Sequence, residues 1–268
     1  MRFVLALAFA LLLPAAHAST LAEARNAYEA GNYAEAIRLA TEAEPTDKTG
    51  EALLILSWIY RNGRGGVPSD QGKALELMRR AADMGHAPAM GALGMIYFDG
   101  DGVEKNIETA RQLWLKAAAK GDPVALANLS YLYTFVDRNY PEAIVWLRRT
   151  IDKGDEAGVK VALLDLAALY ERGQGVPKNM TEAVNLTRRA AIAGNMLAYS
   201  KMVEHYVNGT GVPQDAVRAQ MWALIAERKG GGISPEGRGY LDGMLTPEKR
   251  AEAERLAAAC LADAKACK

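Results

Sequence analysis

Histidine is scarce in this sequence: three residues, of which only His86 and His205 lie beyond position 18. Neither has a partner ligand at helical spacing, so no metal site is expected. Charge of one sign is missing too, since 32 Lys and Arg balance 32 Asp and Glu. An even mixture gives no electrostatic case for nucleic acid or anionic lipid. No apolar run reaches the ~20 residues that span a bilayer, so no transmembrane anchor is expected. There is no Gly-Xaa-Ser-Xaa-Gly elbow and no phosphate-binding Gly-Lys-Ser/Thr loop. No catalytic residue and no cofactor site are therefore assigned. The only cysteines are Cys260 and Cys267.

What the chain has is a phrase repeated about every 36 residues, a period typical of helical arrays. One copy reads Leu93-Gly94-Met95-Ile96-Tyr97, then Gly100-Asp101-Gly102-Val103, Asn106, Ala110, Lys116-Ala117-Ala118 and Gly121. The tyrosine recurs at Tyr28, Tyr60, Tyr97, Tyr133, Tyr170 and Tyr206. The alanine recurs at Ala36, Ala74, Ala110, Ala143, Ala183 and Ala219. Four residues before each alanine stands Asn32, Asp70, Asn106, Asn139, Asn179 or Asp215. A short polar side chain there can accept from the unpaired N–H groups of a helix start. Glu35, Glu142 and Glu182, three residues after their caps, suit a capping box. Gly-Val loops and the closing glycines Gly85, Gly121, Gly154, Gly194 and Gly230 read as helix stops. The repeat containing Tyr133 has no Gly-Val loop and is three residues shorter there. Ser57, Gly94, Ser130 and Ala167, each three before a tyrosine, supply small residues where two helices approach closely.

This pattern resembles the Sel-one-like repeat (SLR), a branch of the tetratricopeptide superfamily, over roughly residues 21–232. The resemblance implies an all-α, right-handed solenoid of stacked antiparallel helical hairpins that binds other proteins. Some members carry a cysteine pair in each repeat; this chain has alanines such as Ala82 and Ala118 in that seam.

The domain reading follows. Residues 1–18 form a cleavable signal peptide: Met1-Arg2, an apolar run from Phe3 to Leu13, then Ala16-His17-Ala18. No cysteine follows for lipid attachment, so the mature chain is expected in the periplasm or secreted. Residues 19–232 form a solenoid of about six hairpins. Residues 233–268 form a C-terminal helical cap, with helix starts at Ser234-Pro235-Glu236 and Thr246-Pro247-Glu248. Leu241, Met244, Leu256 and Leu261 are available to cover the last hydrophobic face. On one unbroken helix Cys260 and Cys267 would stand ~10.5 Å apart, beyond the ~7 Å limit for a bridge. A disulfide requires the last helix to end between them, and the sequence leaves both outcomes open.

If the tetratricopeptide register carries over, the first helix of each hairpin lines the concave side. Residues two before and one or two after each tyrosine then face a partner. The candidate partner-binding residues are Trp58, Arg61, Met95, Phe98, Asp99, Tyr131, Phe135, Arg172 and Glu204. The first repeats give an apolar strip and the later ones a more charged strip. The expected function is an exported, non-enzymatic scaffold that binds a protein or peptide. A second reading is a modulator bound to peptidoglycan or polysaccharide machinery, because aromatics also stack on sugars. A third is a hydrolase using a carboxylate pair such as Glu171 and Glu204. His205 falls on the core side and is read as packed; His86 follows a closing glycine and is read as solvated.

Overall fold

A computed structural model describes residues 20–232 and 234–267. Residues 1–18, read above as a signal peptide, lie outside them. Among the described residues there is no strand. No helix there is long and apolar enough to cross a membrane.

The described residues divide into two compact units, with the boundary between Ala125 and Leu126. In the first, α1 (residues 20–29) and α2 (Tyr33–Ala43) precede two tight hairpins. These are α3 (Glu51–Asn62) with α4 (Gln71–Asp83), and α5 (Ala87–Asp99) with α6 (Ile107–Ala119). The boundary falls inside α7 (Pro123–Tyr131). In the second unit, α7 runs into a π-helical turn, Leu132–Val136, followed by α8 (Tyr140–Lys153). Then come the hairpins α9 (Glu156–Arg172) with α10 (Met180–Ile192) and α11 (Met196–Asn208) with α12 (Ala216–Arg228). The chain closes with α13 (Pro235–Gly243), α14 (Pro247–Ala262) and a 3₁₀ turn, Ala264–Ala266. The repeat alanines Ala36, Ala74, Ala110, Ala143, Ala183 and Ala219 are all buried.

The polar residue before each second helix fixes the hairpin twice. The side chains of Asp70, Asn106, Asn139, Asn179 and Asp215 accept from N–H groups three residues on, at 2.9–3.4 Å. In the four Gly-Val repeats the same residue's N–H donates to the repeat tyrosine's carbonyl: Asp70 to Tyr60, Asn106 to Tyr97, Asn179 to Tyr170 and Asp215 to Tyr206, at 2.8–3.0 Å. The end of one helix is thereby tied to the start of the next. The tyrosine hydroxyls join successive hairpins: Arg79 donates to Tyr97 and Arg148 to Tyr170, each at 3.1 Å. In the last Gly-Val loop the second glycine is needed for space as well as dihedral. Gly211 has φ +76°, and a Cβ there would lie 2.5 Å from the Met180 carbonyl oxygen.

Several expectations need correction. Asn32 makes no side-chain cap, consistent with the looser first repeat. The reciprocal capping boxes are not made at two positions: Glu35 binds Arg38, and Glu142 accepts from the Trp146 indole at 3.0 Å. Gly154 is extended (φ −71°, ψ 170°), unlike the left-handed Gly85, Gly121, Gly194 and Gly230. Asp155 caps the next helix directly, so no reversing glycine is required. At the C-terminus α14 packs on α12, with Leu241, Leu245, Ala253 and Ala257 buried. Leu261 is instead 37% exposed, because α14 stops one residue later and turns Cys267 back over that face.

Candidate functional site

Among the described residues each unit carries a cavity of about 450 Å³ beside its first-position helices, and the two differ in chemistry. In the first unit a trough of about 440 Å³ runs between α3 and α5. Leu54, Trp58 and Arg61 lie on one stripe of α3, and Ala92, Met95 and Asp99 on one stripe of α5. Spacings of three and four residues put each set on a single helix face. Trp58 is half-buried and Met95 is 37% exposed. Arg61 lies 6.0 Å from the Trp58 ring centre and is ion-paired with Asp101, so it is anchored to the trough wall. Asp99 is exposed and has no ion-pair partner among the described residues.

Trp58, Arg61, Met95 and Asp99 are thus brought together as the register predicts. Phe98 is not. Its ring centre sits 5.5 Å from Trp114, and Lys105 covers it at 5.3 Å. One residue past the tyrosine, the side chain has rotated off the exposed stripe and onto α6.

In the second unit a cavity of about 450 Å³ is lined by the π turn, α9 and α11. The short repeat explains its shape. Without a Gly-Val loop, α7 ends through a wide turn in which the Asp137 N–H reaches the Leu132 carbonyl at 2.9 Å. Arg138 then adopts φ +54°, the one positive φ at a non-glycine residue among those described. Such π turns and left-handed side-chain-bearing residues gather at functional sites. Thr134 is 6% exposed and its hydroxyl has no hydrogen-bond partner. Asp165, from α9, makes no hydrogen bond or ion pair with any described residue. Burial alone pushes its carboxyl up to about 6. Phe135, Arg138, Arg172 and Lys201 complete the wall.

Of the remaining predicted residues, Phe135 and Arg172 line this cavity. Tyr131 is 51% exposed and stands 5.2 Å, ring to ring, from Phe135. Glu204 is exposed on α11 and lines neither cavity. The carboxylate pair envisaged for Glu171 and Glu204 has no support. Glu171 is engaged by Lys201 and lies 3.5 Å from His205 Nε2. His205 is buried, and that burial lowers its pKa against the opposing pull of Glu171. His86 is half-buried at the start of α5 rather than fully solvated. Asp165 and Thr134 were missed as a pair. One signal was available: Asp165 is a lone charge inside Val161-Ala162-Leu163-Leu164-Asp165-Leu166-Ala167-Ala168.

Among the described residues no group of three or more His, Cys, Asp or Glu could hold a metal. Cys260 and Cys267 form a disulfide with Cα atoms 4.7 Å apart. The bridge closes because α14 ends at Ala262 and the 3₁₀ turn reverses the chain.

The Sel1 repeat model matches residues 50–86, 87–122, 123–155, 160–195 and 196–231. The chain belongs to the Sel1 repeat family. The short third Sel1 copy takes in α7, the π turn and α8. The crystal structure of c5321, a protective antigen of uropathogenic Escherichia coli strains displaying an SLR fold, is 27% identical with TM-score 0.73. That likeness covers 94% of this chain and 55% of that one. A Sel1 repeat protein from Oxalobacter formigenes is 29% identical with TM-score 0.69, over 79% of this chain and 85% of that one. Among curated proteins, chitin synthase regulator SKT5 of Saccharomyces cerevisiae is 30% identical over 60% of this chain and 23% of its own length. The F-box protein At1g70590 of Arabidopsis thaliana is 33% identical over 39% of this chain and 29% of its own length. The Sel1 chain therefore spans under a third of the curated relatives it matches. Sel1 repeat proteins are in general protein-interaction scaffolds.

Proposed function

We propose that this chain is an exported, non-enzymatic scaffold that holds a protein partner by an apolar segment laid in the α3–α5 trough. The observation that carries this is the aligned pair of stripes, Leu54-Trp58 and Ala92-Met95, partly exposed and facing one cavity. Exposed apolar patches rimmed by polar groups mark interaction sites. Tryptophan and arginine are enriched among residues that dominate interface energies. Arg61 is already neutralised by Asp101, and Asp99 is unpaired. Charge complementarity therefore selects an apolar anchor flanked by a basic residue. The leader-like residues 1–18 support the exported reading. Two relatives carry the names of chitin synthase regulators, which suits a scaffold that acts through other proteins.

The test is site-specific photocrosslinking in cells with the crosslinker at position 58 or 95, and at an exposed α4 position as control. The expected product is one partner segment holding an apolar residue beside Lys or Arg. Trp58→Ala with Met95→Ala should weaken that partner by about tenfold or more, with the helical spectrum intact. Equal crosslinking from the control position, or unchanged affinity in the double variant, would remove the reading. N-terminal sequencing of the exported chain checks the leader, and a mature chain retained in the cytoplasm would refute export.

A further inference from the structure

We infer that the cavity of the second unit takes an acidic, apolar segment of a partner protein, with an aliphatic side chain over Ala168 and an Asp or Glu beside it on Arg138 and Arg172. This rests on the reading of the chain as a protein-binding scaffold, but it uses a different unit and different residues from the α3–α5 trough.

The hollow comes from one register position. Two residues before the repeat tyrosine stand Trp58, Met95, Tyr131 and Glu204 in other repeats, and Ala168 here. Leu164, Ala168 and Arg172 are four residues apart, so they share one face of α9, and all three line the cavity. Ala168 is half-buried, and its short side chain leaves the space that a larger one fills elsewhere. Two large apolar side chains stand beside that space. Phe135, at the π turn, is 49% exposed, and Leu197, on α11, is 59% exposed. Apolar surface of this kind, rimmed by polar groups, marks a place for a partner.

The rim sets the sign of the neighbour. Among the described residues only Arg138, Arg172, Arg189 and Arg255 have a guanidinium in no ion pair, hydrogen bond or ring contact. The first two come from different elements and line this cavity, whereas Arg189 and Arg255 line neither cavity. Lys201, the third cation of the lining, is engaged by Glu171. Arg172 stands two residues after the repeat tyrosine, where the trough has Asp99. The same register position thus carries opposite charges in the two units. A guanidinium donates two N–H groups to one carboxylate. Charge complementarity therefore selects Asp or Glu here, and Lys or Arg in the trough.

Asp165 is the one carboxylate in the lining. It is half-buried, whereas both arginines are exposed. It repels an acid from the inner wall. The partner's acid is kept at the exposed arginines, and its apolar side chain takes the space over Ala168.

The test is a titration of the full chain by two-dimensional amide NMR, with acetyl-Glu-Leu-Glu-amide as probe. Three comparators separate the demands. Acetyl-Gln-Leu-Gln-amide lacks the charge, acetyl-Glu-Gly-Glu-amide lacks the anchor, and acetyl-Lys-Leu-Lys-amide reverses the sign. Saturable shifts around Arg138, Ala168 and Leu197 are expected with the probe, and weaker binding with every comparator. Arg138→Gln with Arg172→Gln should weaken the probe about fivefold, the scale of two exposed ion pairs. Ala168→Met, which puts the trough's residue into the hollow, should weaken it about tenfold or more by displacing the buried anchor. Asp165→Asn should bind the probe at least as tightly as the parent. Equal binding of the uncharged or basic comparator, an absence of saturable shifts, or undiminished binding to either folded variant would overturn the inference. Weaker binding to a folded Asp165→Asn chain would overturn it as well. Because the trough is left unchanged in these variants, failure here leaves the photocrosslinking result at Trp58 standing, and the reverse holds.

Discussion

The indole of Trp114 lies against the Cα of Gly94. A Cβ built at Gly94 would fall 2.4 Å from Trp114 Nε1, and that nitrogen donates to the Gly91 carbonyl at 3.0 Å. The largest side chain of this seam is accommodated only because the facing helix has no side chain there. At the same register the bulk is divided differently in two other hairpins, with Ala167 and Thr187 in one and Val203 and Ala223 in the other.

Gly94→Ala is therefore expected to destabilise the first unit, although alanine is the better helix former. Overpacking a filled seam costs ~1–3 kcal/mol, against a propensity gain of ~1 kcal/mol. Urea denaturation should show a net loss. The double variant Gly94→Ala/Trp114→Phe should recover part of it, because the smaller ring frees the space.

Asp165→Asn should stabilise the unliganded protein near neutral pH. The folded carboxyl titrates at about 6, raised from its ordinary value by burial. Between the unfolded value near 4 and that point, the folded state keeps a proton that the unfolded chain has released. Stability therefore falls as pH rises through this window and stays low above it. Removing the charge should return ~2 kcal/mol at pH 7. Unfolding free energies at pH 4.5 and 7 should differ less in the variant than in the parent.

His205 has the opposite sign. Burial holds its folded value below the ordinary one, so the unfolded chain takes up the proton first as pH falls. The contribution is present above about pH 6.5 and is lost progressively below it. His205→Gln should remove this loss. The urea midpoints of the two chains should diverge as the pH is lowered from 7.5 towards 5.5, after any constant offset between them at high pH is subtracted.

Reduction of the Cys260–Cys267 bridge should free the last turn of the chain. A short closed loop is worth about 2 kcal/mol. Amide exchange at residues 257–267 should rise on adding reductant, and in Cys260→Ser/Cys267→Ser, while α3 to α6 stay protected.

The trough was more legible than the cavity, for a physical reason. Trp58, Met95 and Asp99 belong to the periodic pattern, so their common face follows from helix geometry alone. Phe98 shows the limit. It sits one residue beyond the tyrosine, where the direction of the side chain is decided by the neighbouring Trp114 and not by the period. Asn32 shows another, since its side chain has the right chemistry but the weaker first repeat does not bring an N–H into reach.

The sequence by itself determined the hairpins, their caps and their seams, because each is a local rule repeated at a fixed spacing and copies reinforce one another. Only the tertiary structure decided that the short repeat unwinds into a π turn, that Thr134 and Asp165 share a wall, and that α14 stops in time for Cys260 to reach Cys267. Those are outcomes of irregular stretches and of residues far apart in the chain. Their arrangement depends on how neighbouring helices fill space, and no periodicity encodes it.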